Sequence, residues 1–348
     1  MSVVESAKDA FRSENNSPWR VGLSMCATWS LGVSMAAGLT LLGIWGFAPF
    51  VVWMTFNVLS VPLFVVVYLK FPQIQKFIDF RIMQLVMVFV LFAYITINLN
   101  AMVEVVGPGI ELLTYQFLSE TGAVTLAMGV SAALFVFIYF TGLNGSISTD
   151  IFQYAFQIIG AMLIAVTGII WGTPGVDVPA TADTSVWLIA ATVGLLSGPY
   201  VDPAQWQRIE KAPQLETGLW AGFWFGIYII FVLLAALNFG PESLIHGILL
   251  VIVVYSVSTS TMDSTAAAFQ RILQNRQLAL VVGLIGVAIY PWFGGPVGTS
   301  WAVFSEYRAM ISGTIVAIAV LLTVIPGLDV EMFKTKLDDD TADIKTGD

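Results

Sequence analysis

Apolar residues fill this chain in long blocks separated by short polar joints, and the blocks are of bilayer length. A helix needs about 20 apolar residues to cross the hydrocarbon of a membrane. Scanned on that basis, the sequence predicts about ten spans, near 20–45, 47–69, 81–106, 121–142, 148–172, 184–202, 216–239, 246–271, 278–295 and 300–326. The joints are rich in Gly, Pro and acids, as in "FPQIQKF", "GPGIELL", "GTPGVDVPATADT", "FGPES" and "FGGPVGTS". Lipid offers no partner to a bare backbone, so such blocks are read as helices. The expected fold class is an all-α integral membrane protein.

Composition sharpens this. Of 348 residues, 57% are hydrophobic and 11% charged, with mean hydropathy +0.86. A soluble domain carries about 25% charged residues. The net charge of −9 argues against nucleic acid as a partner. Residues 1–19 are polar, with no apolar core of a signal peptide, and are expected to be a cytoplasmic N-terminal segment. Residues 20–326 form the transmembrane core, and 327–348 an acidic cytoplasmic tail. The single cysteine, Cys26, has no internal disulfide partner.

Lys and Arg positions predict the orientation. Lys8, Arg12, Arg20, Lys70, Lys76, Arg81, Arg208, Lys211, Arg271, Arg276, Lys334, Lys336 and Lys345 fall on one side if there are ten spans. The opposite loops carry Glu104, Glu111, Glu120, Asp177, Asp183 and Glu242; only Arg308, within span ten, breaks the pattern. Both termini are therefore expected in the cytoplasm. Ten spans divide into five plus five, about 20–172 and 184–326, and an odd number per half makes the halves inverted repeats. Spans one and six are then counterparts. "ATWSLGVSMAAG" carries Gly32 mid-span and "VGLLSGPYVDP" carries Gly198-Pro199, so both are expected to be broken helices. Broken helices at matching positions point to a binding site at the membrane midplane.

The stretch "VYSVSTSTMDSTAAAF", 254–269, puts hydroxyls and a carboxylate, Asp263, inside an apolar span. Val257, Ser260 and Thr261 share one helix face. Two hydroxyls and a backbone carbonyl there can ligate a small hard cation. The same hydroxyls can instead bond back to their own helix or let helices pack closely. Asp263 is costly at a helix centre; it is expected to lie toward the cytoplasmic side, as a stop for a cation or proton or as a partner of Arg271.

"STMDST" in an eighth span resembles the Ser-Thr signature of the sodium/solute symporter family, relatives of sodium–proline, sodium–glucose and sodium–urea carriers. "TGLNGSISTDIFQYAFQIIG" (141–160) resembles that family's fifth core helix, and "DPAQWQRIEKA" (202–212) its segment after the sixth. "CATWSLGVSMAAG" looks most like the urea-carrier branch. The resemblance covers about Pro18 to Ile325 and implies a minimal ten-helix member with a LeuT-type fold. It also implies Na⁺-coupled symport of a small polar solute by alternating access, in the cell membrane.

The family's main sodium site lies between helices one and eight. Placing Gly38 on the family's glycine implies ligands at the carbonyls of Thr28 and Leu31, the carbonyl of Val257, and the hydroxyls of Ser260 and Thr261. Asp150 is implied on the route of ion release, with Asp263 as a companion or second cation site. From the residues alone, Ser148, Thr149 and Asp150 also suit a helix N-terminus. Trp29, Ser30, Asn98, Ser197 and Tyr200 are candidates for the solute, by stacking and hydrogen bonding. Each suits helix packing equally well.

Trp45, Trp53, Trp187 and Trp301 read as interfacial residues. His246 is the only histidine, there is no Gly-rich phosphate loop, and no catalytic triad can be assembled. No enzymatic activity, no cofactor and no metal beyond Na⁺ is expected. The outer loop after span seven, "NFGPESLIHG", is short for a lid. It keeps two alternatives open: a weakly coupled facilitator, or a non-transporting membrane sensor or assembly protein.

Overall fold

The computed structural model describes residues 17–30, 46–71, 81–107, 115–173 and 194–293, with isolated positions at 32, 34, 35, 38, 42, 43, 74 and 175. Among them the structure is helical: α1 (Pro18–Trp29), α2 (Phe47–Lys70), α3 (Arg81–Val106), α4 (Glu120–Trp171), α5 (Pro203–Lys211), α6 (Leu215–Leu237), α7 (Leu244–Leu273), α8 (Arg276–Ala288) and α9 (Tyr290–Phe293). Residues 194–201 are also helical and run into Asp202. The expected tenth span, 300–326, and the joint at 176–193 lie outside the described residues, as do Trp45, Trp187 and Trp301.

Among the described residues, five helical segments are long and apolar enough to cross a membrane: α2, Met83–Val106 of α3, the two-armed α4, α6 and α7. Their outward faces are greasy. Phe140 and Ile170 on α4 are 71% and 72% exposed, which suits lipid and not water. The chain is a multi-pass membrane protein.

Boundaries follow local chemistry. Ser119 opens α4 by accepting from Gly122 N, and Asn275 opens α8 by accepting from Leu278 N. Spans four and five, expected as separate helices, are the two arms of α4, which meet at a non-helical kink at Gly142, where φ is +63° and ψ −157°. A side chain would strain that conformation, so glycine makes the bend. Span one stops early: α1 ends at Trp29, and Ser30 is extended at φ −70°, ψ 116°. The interruption thus precedes Gly32. In span six, Gly198 and Pro199 lie inside the helical turn of 194–201, and the interruption falls at Asp202. Asp202 is extended, accepts from Ala204 N at 2.9 Å and is followed by Pro203 at the first helical position, which is ordinary N-cap chemistry.

The helices pack as two groups. α1 and α2 both lie on α6, close enough that side chains at Gly22 or Gly222 would collide with Trp220 or Pro62. Small residues permit that approach. The second group is α3, α4, α7 and α8, with α7 and α4 the most extensive pair. α4 bridges the groups by also touching α1 and α6, and the end of α1 meets α7 along the seam. Trp53, expected at an interface, is instead buried beside Phe50.

Candidate functional site

α7 brings its hydroxyls to the seam. Thr261 Oγ1 donates to the carbonyl of Ser30 at 2.8 Å, tying α7 to the point where α1 stops being a helix. Helix ends leave carbonyls without intrahelical partners, so an α1 break beside α7 offers main-chain oxygen to hydroxyl oxygen. The carbonyl met is that of Ser30; Leu31, one residue on, lies outside the described residues. Thr28 is buried, its hydroxyl bonds back to the carbonyls of Ser24 and Met25, and Gln205 Nε2 donates to Thr28 Oγ1 at 3.0 Å and to Met25 O at 3.2 Å. Val257 is wholly buried, and its carbonyl also lies 3.2 Å from Thr261 Oγ1.

One turn further along α7 the site becomes charged. Ser260 Oγ donates to Asp150 Oδ1 at 2.6 Å. Asp150 Oδ2 also accepts from Ser24 of α1 and, at 3.0 Å, from Arg208 Nη2 of α5. The Arg208 guanidinium spreads over the same pocket: Nε to Ser24 Oγ at 2.6 Å, Nη2 to Ser146 Oγ at 2.8 Å and Ser264 Oγ at 2.9 Å, and Nη1 to Ala204 O at 3.2 Å. Asp150 is therefore no helix-end residue. It stands in mid-helix after the bend, where Ser148 and Thr149 bond back to Asn144 and Gly145. The continuation of α4 through 143–150 removes the free N–H groups that a cap would serve.

Asp263 shares the cluster without touching the arginine. Its Oδ1 accepts from Ser146 Oγ at 2.6 Å; its Oδ2 accepts from Thr149 Oγ1 at 2.7 Å and Gln153 Nε2 at 3.2 Å. Arg271, expected as its base, pairs with Glu210 on the surface. Asp263 is wholly buried, as are Asp150 and Arg208. Among the described residues, two carboxylates stand against one guanidinium, which leaves a surplus negative charge out of water. Such a charge is expensive unless a cation or proton joins it.

The residues proposed for a solute divide. Trp29 is pressed against Gly198, where any side chain would collide with its indole, and its Nε1 has no hydrogen-bond partner. Asn98 of α3 accepts from Gly32 N at 2.8 Å, just past the α1 break. Ser258 Oγ abuts Gly32 and is also unpartnered. Trp29, Ser30 and Asn98 thus gather around the break, with Ser197 one residue from the Trp29 contact. Ser30 Oγ bonds back to Cys26 O at 3.3 Å, and Ser197 Oγ to Gly194 O at 3.3 Å. Tyr200 is elsewhere: its ring packs edge-on against Phe64 at 5.2 Å, in the cluster with Tyr68 and Trp206.

The chain is similar to a Na⁺-coupled sialic acid symporter, seen substrate-bound and outward-open in a structure that reveals a novel Na⁺ site. The TM-score is 0.58 over 92% of this chain and 81% of that one, at 14% sequence identity. The fold is that of a Na⁺-coupled symporter. No protein-family model matches the chain, and no curated protein matches it by sequence.

Arg208, Ser24, Ser146 and Ser264 were not singled out from sequence. Arg208 counted there as a loop charge marking orientation; it is wholly buried. The available signal was the short amphipathic turn PAQWQRIEK beside a helix break, where an arginine flanked by Trp206, Gln207 and Ile209 needs an acid.

Proposed function

We propose that this chain is a secondary active transporter that couples the movement of Na⁺ to that of a small polar solute by alternating access. The observation that carries the reading is the Thr261 hydroxyl on the Ser30 carbonyl, where α7 meets the end of α1. Na⁺ is a hard cation that takes oxygen ligands, as its harder relatives do. The hydroxyls of Thr261 and Ser260 and the carbonyl of Val257 supply oxygen from α7. The end of α1 supplies main-chain carbonyls. The sequence register named Thr28 and Leu31; the contact at Ser30 favours the register one residue earlier, at Ala27 and Ser30.

Coupling follows from where this site lies. α1 packs with α2 and α6, and α7 with α3 and α4. An ion ligated by both α1 and α7 binds only while the two groups sit together at the seam. It therefore stabilises one conformation over the other by its differential affinity. A solute held by Trp29, Ser30, Asn98 and Ser197 at the same break is bound to that conformation as well. The surplus charge of Asp150 and Asp263 supports a waypoint for the departing ion, with Arg208 preventing the pair from trapping it. A five-plus-five inverted repeat, cytoplasmic termini and the cell membrane complete the reading, on the strength of the Lys/Arg pattern.

The test is uptake into proteoliposomes of a panel of radiolabelled small polar solutes, with and without an inward Na⁺ gradient. The reading requires at least one solute to accumulate only with the gradient. Flux indifferent to Na⁺ would identify a facilitator, and no flux of any solute a non-transporting protein.

A further inference from the structure

Gln157, in the arm of α4 beyond the Gly142 bend, is wholly buried, and among the described residues neither the oxygen nor the nitrogen of its carboxamide has a hydrogen-bond partner. Buried polar groups are nearly always paired, and those that are not call for a ligand or a water. A glutamine with both ends unused in an apolar interior costs stability that a leucine of similar size would not.

Its neighbours on the helix define what it faces. Asp150, two turns earlier on the same face, touches both Ser24 of α1 and Ser260 of α7. Gln153, one turn earlier, and Gly160, three residues later, both meet α7, at Asp263 and Val253. Tyr154 reaches α6 at the Trp224 carbonyl. Gln157 thus lies between the α7 side and the α6 side of α4, over the seam of α1 and α7.

Its height follows in the same way. α4 and α7 run antiparallel, with Asp150 beside Ser260 and Thr167 beside His246. Gln157 is then level with the turn of α7 that begins at Val257 and runs away from Ser260. α1 and this arm of α4 both run alongside α6 in its own direction, the chain of α1 and just beyond meeting it at Trp220 from Gly22 and at Tyr228 from Ser34, and α4 at Trp224 from Tyr154 and at Asn238 from Gly168. Counting up from the Ser24–Asp150 contact, Gln157 is level with the residues that follow Trp29, where α1 has stopped being helical.

We infer that Gln157 is an ion ligand: its Oε1 contributes a neutral oxygen from α4 to the Na⁺ site between α1 and α7. This rests on the ion site proposed above. It makes that site a three-helix site and gives α4 a direct part in sensing the ion. A neutral amide suits the position, because the carboxylate demand of the region is already met one step lower by Asp150 and Asp263.

The experiment is thermal unfolding of the purified full-length protein, followed by tryptophan fluorescence, as NaCl replaces choline chloride at constant ionic strength. The variants are Gln157→Leu, which keeps size and loses the oxygen, Gln157→Glu, which keeps an oxygen at the same reach, and Thr261→Ala as a report on the parent site. The wild type is expected to be stabilised saturably by Na⁺. Q157L should weaken the apparent Na⁺ affinity by about tenfold or more, the worth of one bond to a charged group. Its unfolding midpoint without Na⁺ should be unchanged or higher. Q157E should keep the Na⁺ response. Should Q157L not yield folded protein, Q157N, whose oxygen is drawn back by one methylene, decides in its place by the same loss. If Q157L or Q157N responds like the wild type while T261A loses its response, the amide holds only a water and the inference is overturned with the ion site intact. If the wild type shows no Na⁺-specific stabilisation, the ion site itself fails and the inference falls with it.

Discussion

Arg208 Nη2 lies 3.0 Å from Asp150 Oδ2, and neither side chain has any solvent exposure. A buried pair of this kind contributes little net stability when whole, but removing one partner strands the other charge, at a cost of about 3–5 kcal/mol. Arg208→Ala leaves two buried carboxylates and no base, so it is expected to lose at least that much. Arg208→Lys should recover only part, since an ammonium cannot reach Ser24, Ser146 and Ser264 together as the fork does. The double variant Arg208→Met/Asp150→Leu should be more stable than either Arg208→Ala or Asp150→Leu. Thermal unfolding in detergent measures all of these; an R208A protein as stable as the wild type would refute the assignment.

Asp263 is the surplus charge, and its partners are hydroxyls and an amide. Ser146 and Thr149 can turn to other acceptors, so Asp263→Asn should fold normally, within about 1 kcal/mol of the wild type. As a waypoint for the departing ion it should slow turnover several-fold while leaving equilibrium Na⁺ affinity nearly unchanged. Turnover in proteoliposomes and Na⁺ titration of the purified variant separate the two effects. Wild-type turnover would make Asp263 a structural residue only.

The α1 break is held shut by close packing at Gly32, where a Cβ would collide with Ser258 Oγ and come within 3.0 Å of Ala101 Cβ and Asn98 Oδ1. Gly32→Ala is expected to cost about 1–3 kcal/mol, as overpacking does. Adding Ser258→Ala removes the worst collision and should restore part of the loss, not all, because Ala101 and Asn98 remain. Unfolding midpoints of the single and double variants give the answer, and equal midpoints would mean the break relaxes freely.

The long apolar helices among the described residues were legible because hydrocarbon imposes length and composition on any helix that crosses it. The inward face of α7 was legible because Val257, Ser260 and Thr261 fall on one side of the helix whatever the partner. What faces them was not. Spacing along one helix says nothing of the rotation of its neighbour, so the contact of Thr261 with the Ser30 carbonyl became visible only in the packed structure. The interruption of span six was written as Asp202-Pro203, an N-cap followed by an N1 proline, yet Gly198-Pro199 nearby carries the more familiar breaker residues. Arg208 was read as a loop charge because an isolated arginine gives no sign of being buried until the acid that pairs with it, 58 positions away, is known to be near.

The proposed coupling stands on Na⁺ binding where Thr261 of α7 meets the Ser30 carbonyl at the end of α1. Equilibrium binding of radiolabelled Na⁺ to the purified full-length protein tests it most directly, with Thr261→Ala and Ser260→Ala as comparisons. Saturable binding by the wild type is expected, displaced by unlabelled Na⁺ and not by choline. Each lost hydroxyl should weaken it by about tenfold or more, as removal of a charge-assisted contact does. Absence of saturable binding by the wild type, or undiminished binding by the T261A protein, would contradict it.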